Sequence, residues 1–266
     1  MLEVKLLVRT RRSVRLTDAG RILLEEAPRA VGAVARASAR AQLAGRGETG
    51  ELAIGFLPSA TAALIPAVIR EYRALYPDVH LELQEMLDDP LLEAVESSRV
   101  DVGILRATRR HDEGIRIEPV LRDQTCAVLP EDHPLATRRR LAYRDLAGER
   151  FVLWPRHQAR EGYYMVIERC RAAGFSPEIV QESTLPYTTL GLVAAGLGIS
   201  VLSGSLRALR AADVVFVPLT GEPGTLSLAW RPAQVSAVRD NFLDTVRCTA
   251  RGISETPRFA SGGSQP

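Results

Sequence analysis

The chain has 266 residues, 46% hydrophobic and 25% charged, with a formal net charge of +2. This is room for about two ordinary domains and the balance of a globular chain that buries a core, which excludes collagenous and wholly disordered proteins. No apolar run reaches the ~18–20 residues of a membrane-spanning helix, no secretory signal is legible at the N-terminus, and the scattered Cys126, Cys170 and Cys248 make no disulfide framework, so a reducing, cytoplasmic location is expected.

Charge is uneven along the chain. Residues 1–46 carry ten Lys/Arg against four Asp/Glu, whereas residues 47–266 carry 24 against 28. A basic head on a mildly acidic body points the head, and not the body, at a polyanion. Within the head, residues 4–16 alternate apolar and basic side chains with a polar break at 10–13, the pattern of a short β-hairpin with a basic tip. Thr17 then offers an N-cap, and Asp18 a favourable first-turn charge, for a helix over 18–44. Along it Leu23, Ala27, Ala30, Val34, Ala37 and Ala41 recur at spacings of 4, 3, 4, 3 and 4, a coiled-coil-like seam expected to join two copies of the chain. Pro28 should kink this helix or lie near a turn boundary, and Gly45, Gly47 and Gly50 should end it in a hinge.

Beyond the hinge, strands alternate with helices. The pattern predicts a strand at 52–57, a helix at 59–75 containing Pro66, a strand at 79–86, and a helix to residue 98 opened by Asp89 as N-cap and Pro90. Strands follow at 100–105, 115–121 and 125–129. The βαβα order implies a parallel sheet flanked by helices. Residues 130–149, with Pro130, Pro134 and three consecutive arginines at 138–140, read as a crossover. A second unit would then comprise a strand at 151–154, a helix at 162–173 capped by Gly174, a strand at 178–182, a helix at 187–195, a strand at 199–202, a short helix near Leu206 and a strand at 214–217. A last strand, 226–230, and a helix, 235–251, would return to the first unit, and the Ser/Gly/Pro-rich tail should be disordered.

No catalytic constellation is legible. His80, His111, His133 and His157 are scattered, and the sequence has no HExxH, CxxC, GxSxG or P-loop. The glycine-rich stretch 191–198 follows a predicted helix rather than a strand, so it fails the context that a dinucleotide fingerprint requires. The cysteines sit in apolar patterns and read as inert core thiols. The chain is expected to be no enzyme and to need no cofactor or metal.

Four segments carry a family resemblance. Residues 6–20, LLVRTRRSVRLTDAG, resemble the wing and linker start of LysR-type transcriptional regulators. GELAIG at 50–55, VDVGI at 100–104 and LGLVAAGLGIS at 190–200 resemble parts of the effector-binding domain of that family. The resemblance implies an α/β fold of two Rossmann-like lobes of periplasmic-binding-protein (type 2) topology, preceded by a wing hairpin and a long linker helix. It divides the chain into a wing remnant of a winged helix-turn-helix (1–17), a linker and dimerisation helix (18–46), a first lobe (51–130 and 219–251), a second lobe (131–218) and a tail (252–266). Family members carry a helix-turn-helix ahead of the wing. This sequence starts at Met1, a few residues before it, so the element that enters the major groove is expected to be missing.

The implied function is a transcription regulator sensing a small-molecule effector between its lobes, with DNA and further copies of itself, as homodimer or homotetramer, as partners and no membrane. Arg9, Arg11, Arg12 and Arg15 would be wing contacts to phosphate, which position without reading sequence. A solute-binding protein of the same two-lobe fold is the alternative, although no export signal is visible and a linker helix has no place in one.

The resemblance also names effector positions. It places a contact at Ser59, with Thr61 on the same turn; a hydroxyl beside free helix N–H groups suits a carboxylate, and a plain N-cap is the simpler role. Asp88 stands where many relatives have Ser or Thr, and an acid there favours an amine or polyol unless it only supports the helix start. Arg106 ends the third strand near the expected cleft mouth. Arg156, able to clamp a carboxylate, and His157 lie on the lip of the second lobe, where an exposed, solvated loop is the simpler role for both, and Thr184 resembles a second-lobe position that reaches the effector. Together the set suits a zwitterion or polar neutral molecule better than a dianionic aromatic acid.

Overall fold

A computed structural model of the chain describes residues 4–9, 14–106 and 114–255. Strands β1 (Leu7–Arg9) and β2 (Val14–Leu16) pair antiparallel, with Val8 opposite Arg15. The hairpin tip, including Arg11 and Arg12, and the tail at 256–266 lie outside the described residues. Helix α1 (Asp18–Gly45) begins as its sequence dictates: the Thr17 hydroxyl accepts the Gly20 N–H at 3.0 Å and itself donates to the Lys5 carbonyl at 2.7 Å, tying hairpin to helix. The helix does not end at Pro28. Losing one backbone hydrogen bond on an exposed helix is absorbed by water at the freed carbonyl.

The first lobe is a five-stranded sheet in the order β4 (Asp78–Glu85), β3 (Thr49–Phe56), β5 (Val102–Leu105), β12 (Gly224–Trp230), β6 (Arg116–Asp123). Strands β4, β3 and β5 are parallel, but β12 runs antiparallel to both its neighbours, so the sheet is mixed rather than wholly parallel. The reason is that β12 re-enters from the second lobe instead of arriving through a crossover helix. The predicted helix at 59–75 is two helices, α2 (Pro58–Ala63) and α3 (Ile65–Leu75), broken at Leu64. Pro66 has no N–H for the Ala62 carbonyl, so a fresh helix starts with proline in its first turn. Helix α4 (Asp88–Glu96) starts two residues early, with Leu87 rather than Asp89 as its N-cap. The core packs Ile54, Leu91, Ile104 and Leu228 under Tyr72, whose ring meets Phe242 edge-on at 5.3 Å and whose hydroxyl donates to the Val238 carbonyl at 3.1 Å.

In the second lobe β7 (Thr125–Pro130) lies between β10 (Ser200–Ser203) and β11 (Val214–Pro218), antiparallel to both. Strands β8 (Arg150–Leu153) and β9 (Glu178–Glu182) are parallel and join this sheet through a bridge between Phe151 and Ile199. Helices α5 (Arg160–Ala172) and α6 (Pro186–Ala194) cover it. The crossover expected at 130–149 comes earlier, because β7 already pairs within the second sheet and only Gln124 separates it from β6. The Gln124 amide donates to the Leu219 carbonyl at 2.9 Å, stitching the outgoing chain to the returning one.

The final helix, α7 (Ala237–Glu255), packs on the first lobe and holds the end of α1. The Asn241 amide donates to the Arg46 carbonyl at 2.9 Å, and Gly47, at φ +68°, leaves no room for a Cβ beside the Ala237 backbone. Cys126 and Cys170 are buried as expected, but Cys248, on the outer face of α7, is exposed. No helix among the described residues is long and apolar enough to cross a membrane.

Candidate functional site

Three parallel strands of the first lobe end at one crevice, the position where open α/β sheets take their ligands. The chain leaves β3 into Leu57, Pro58 and Ser59, leaves β4 into Leu87 and Asp88, and leaves β5 into Arg106. Opposite them the second lobe brings Trp154 after β8, Glu161, Gly162 and Arg169 of α5, and Ser203 at the end of β10. The cleft between them has a volume of about 600 Å³.

A polar network crosses the cleft floor. The Arg106 N–H donates to Asp88 Oδ1 at 2.9 Å, and its guanidinium donates to Asp123 Oδ2 at 3.0 Å and to the Ser203 hydroxyl. Gly224 gives that guanidinium its seat, because a Cβ there would collide with it. Asp123 also accepts from the Ser205 hydroxyl at 2.7 Å and the Ser205 N–H at 3.2 Å. Arg106, Asp123 and the two serines thus link the lobes at the strand ends. A second link lies at the rim, where the Asp89 N–H donates to the Gln158 carbonyl at 3.2 Å and the Asp89 carboxylate accepts the Arg160 N–H at 2.9 Å. Asp89 therefore caps the start of α5 across the cleft instead of its own helix.

Asp88 carries the perturbed charge of the site. Burial pushes its carboxyl up to about 6, with the nearby Glu161 and Asp89 charges adding, while the Arg106 N–H and the Arg106 charge hold it down. Its surroundings therefore disfavour the ionised form relative to an exposed aspartate.

Of the positions singled out in the sequence, Ser59, Asp88 and Arg106 meet in this cleft. Ser59 is not an N-cap; it lies inside α2, whose cap is Leu57. Thr61 donates to Glu85 at 3.4 Å, outside the cleft lining. Arg156 and His157 are exposed: Arg156 lies 5.1 Å over the Tyr164 ring, and His157 pairs with the Gln158 side chain at 3.1 Å. The chain turns outward after Trp154, which takes the inward position. Thr184 is exposed ahead of α6 and does not line the cleft. Sequence reasoning missed Glu161, Ser203 and Asp123. Ser203 was reachable by the strand-end rule; Glu161 resembles any acid in a first helical turn, and Asp123 any acid between two strands.

Comparison with known proteins agrees with this architecture. Residues 45–251 match the LysR substrate binding domain. The chain belongs to the LysR family of transcriptional regulators. Like its relatives it is a regulator and not an enzyme. It is 35% identical over 213 residues to the HTH-type transcriptional regulator AlsR of Bacillus subtilis (strain 168), which covers 80% of this chain and 70% of AlsR. It is 32% identical over 243 residues to the HTH-type transcriptional regulator CatR of Pseudomonas putida, covering 91% of this chain and 83% of CatR. Among solved structures, full-length CbnR complexed with its target DNA superposes with a TM-score of 0.73 at 25% identity, over 94% of this chain and 85% of that one. The BenM effector binding domain with its effector benzoate gives 0.67 at 25% identity, over 80% of this chain and 98% of that one. Among the described residues no cluster of His, Cys, Asp and Glu is arranged to hold a metal ion.

Proposed function

We propose that this regulator senses a small-molecule effector in the cleft between its lobes, with Ser59, Asp88 and Arg106 on the first-lobe wall and Trp154, Glu161 and Ser203 on the second. The observation that carries the reading is that one cavity is lined from both lobes and bridged at its floor by Arg106 and Ser203. A ligand touching both walls favours one lobe separation over another, and by linkage that choice alters whatever the lobes are attached to. The attachment is α1. Its seam residues from Ala30 to Ala41 face water in the single chain, and Val34 is 66% exposed. We infer that Leu23, Ala27, Ala30, Val34, Ala37 and Ala41 meet the same helix of a second copy, giving a dimer or, from two such dimers, a tetramer. Arg9, Arg11, Arg12 and Arg15 would then present a basic wing to DNA in the cytoplasm, as phosphate contacts that weaken steeply with salt.

Hydrogen exchange tests the cleft reading. In a screen of amino acids, amines and carboxylates, a ligand that closes the cleft will slow exchange at the Asp89 and Arg160 amides, which bridge the lobes. Saturable ligands that protect neither amide overturn the reading.

A further inference from the structure

The second lobe carries a further cavity, of about 430 Å³, where α5 meets the short 3-10 turn Tyr143–Leu146. Tyr143, Arg144, Arg169 and Thr220 line it, together with alanines at 142, 172 and 173. The fold brings these side chains together from three segments. Arg169 of α5 lies 5.8 Å over the Tyr143 ring, and Arg144 is the next residue in the chain. The Thr220 N–H donates to the Leu141 carbonyl at 2.7 Å, which lays the returning chain alongside. The exposed run Arg138, Arg139 and Arg140 ends one residue short of that contact.

The cavity is one-sided in charge. None of the described residues that line it is acidic. Arg144 is exposed and has no side-chain hydrogen bond or ion pair among the described residues. Arg169 donates to the Glu222 carbonyl at 3.4 Å and rests against the Gly221 backbone, so no carboxylate offsets its charge there. Asp145 stands next to Arg144 in the chain, but its carboxylate accepts the Ala142 N–H at 2.7 Å. The end of α5, whose carbonyls would repel an anion, is closed by its own chain. The Ala173, Phe175 and Gly174 N–H groups donate to the Arg169, Cys170 and Arg171 carbonyls.

The cavity wall also contains an unmet donor. The Tyr143 side chain is only 7% exposed, and its hydroxyl is the one side-chain polar atom buried without a hydrogen-bond partner among the described residues. Buried hydroxyls are normally paired, so this O–H lacks an acceptor.

We propose that this cavity is a second ligand site, taking a phosphate group, either the free ion or a monoester, between the Arg144 and Arg169 guanidinium groups, with the Thr220 and Tyr143 hydroxyls as further donors. Two guanidinium forks and two hydroxyls offer more charge and more donors than a single carboxylate can use, whereas a phosphate brings a second charge and a third oxygen. The site does not depend on the cleft reading. Arg169 lines the main cleft as well, which puts the second site one side chain from the first.

Isothermal titration calorimetry of the full chain at constant ionic strength tests this, with inorganic phosphate, methyl phosphate and sodium acetate as probes. Heat of binding is the readout because phosphate also stabilises folded chains unspecifically as an excluded salt. Both phosphates should bind saturably, one per chain, and acetate roughly tenfold more weakly or worse. Arg144→Ala should raise the phosphate dissociation constant roughly tenfold, and Arg144→Glu should abolish binding. Arg144 is exposed and outside the hydrophobic cores, so both variants keep the fold. Arg139→Ala, outside the cavity lining, should raise the constant only about twofold, and less at higher salt. Methyl phosphate as the tighter probe assigns the site to an ester, and inorganic phosphate as the tighter one to the free ion. Acetate binding as tightly as phosphate, no saturable binding of either phosphate, or phosphate binding unchanged in Arg144→Glu overturns the proposal. So does binding that Arg144→Glu spares and Gly162→Leu removes, since Gly162 lines the main cleft alone and the ion would then sit there.

Discussion

Arg106 donates to Asp123 at 3.0 Å beside the floor of the cleft, and the carboxylate that receives the bond is only 7% exposed. Removing the guanidinium leaves a buried charge with, among the described residues, the two Ser205 donors. Arg106→Met is expected to lower unfolding stability by ~2–3 kcal/mol, because the loss is the cost of an under-paired buried carboxylate rather than of the bond itself. Arg106→Met combined with Asp123→Asn should recover much of that loss. Urea unfolding of the single and double variants checks this; equal losses in both would mean that the pair's charge is not what matters.

Asp88 should report its strained ionisation as a pH effect. Its folded-state value, about 6, lies above the unfolded carboxyl's 3.8, so between those values the folded state binds more protons and stability falls as pH rises. The cost is complete above the folded value and absent below the unfolded one. Asp88→Asn, whose side-chain oxygen still accepts the Arg106 N–H, is therefore expected to stabilise the chain at pH 7.5, on the order of 1–3 kcal/mol, and to be neutral near pH 3.5. Thermal unfolding across that range measures it, and a pH-independent increment would contradict it.

Two glycines of one motif should behave oppositely. A Cβ on Gly198 would stand 2.5 Å from the Arg150 carbonyl, which already accepts the Ile199 N–H at 2.7 Å. Gly191, inside α6, has nothing within 4 Å. Gly198→Ala should destabilise by ~2–3 kcal/mol and Gly191→Ala should stabilise by ~0.5–1 kcal/mol, measured by denaturant midpoints.

Assembly should fail independently of folding. Val34→Glu puts a charge into the α1 seam while touching nothing in the chain's own core. Sedimentation is expected to show an apparent dissociation constant raised roughly tenfold or more, with the melting temperature of the lobes little changed. A monomeric unmodified chain at tens of micromolar would remove the seam from consideration.

The elements were legible where the pattern is local. Thr17 announced its helix, and strands and helices of the two lobes fall within a few residues of their predicted places. Gly196, at φ +73°, shows why the 190–200 motif carries glycine: the chain needs a left-handed residue after α6 and then a close pass by Arg150 at Gly198. What escaped notice depends on the path between the lobes. A change of sheet at Gln124 leaves the same mark in the apolar pattern as an ordinary turn. With the crossing misplaced, nothing local could bring Asp123 beside Ser205 or Glu161 into the cleft that Asp88 lines. Arg156 and His157 show the converse, since a promising lip residue loses its place when the preceding Trp154 takes the inward direction.

The bond from Asn241 to the Arg46 carbonyl closes a span of 195 residues, and it has a consequence for synthesis. At the usual pace of translation the linker helix waits about 10–40 s for the segment that will fix its bearing. In that interval the helix lacks its tie to α7, and if the inferred seam joins two copies, neighbouring nascent chains on one message would be able to meet through it first. The pairing of subunits would then be settled before either has a finished sensor.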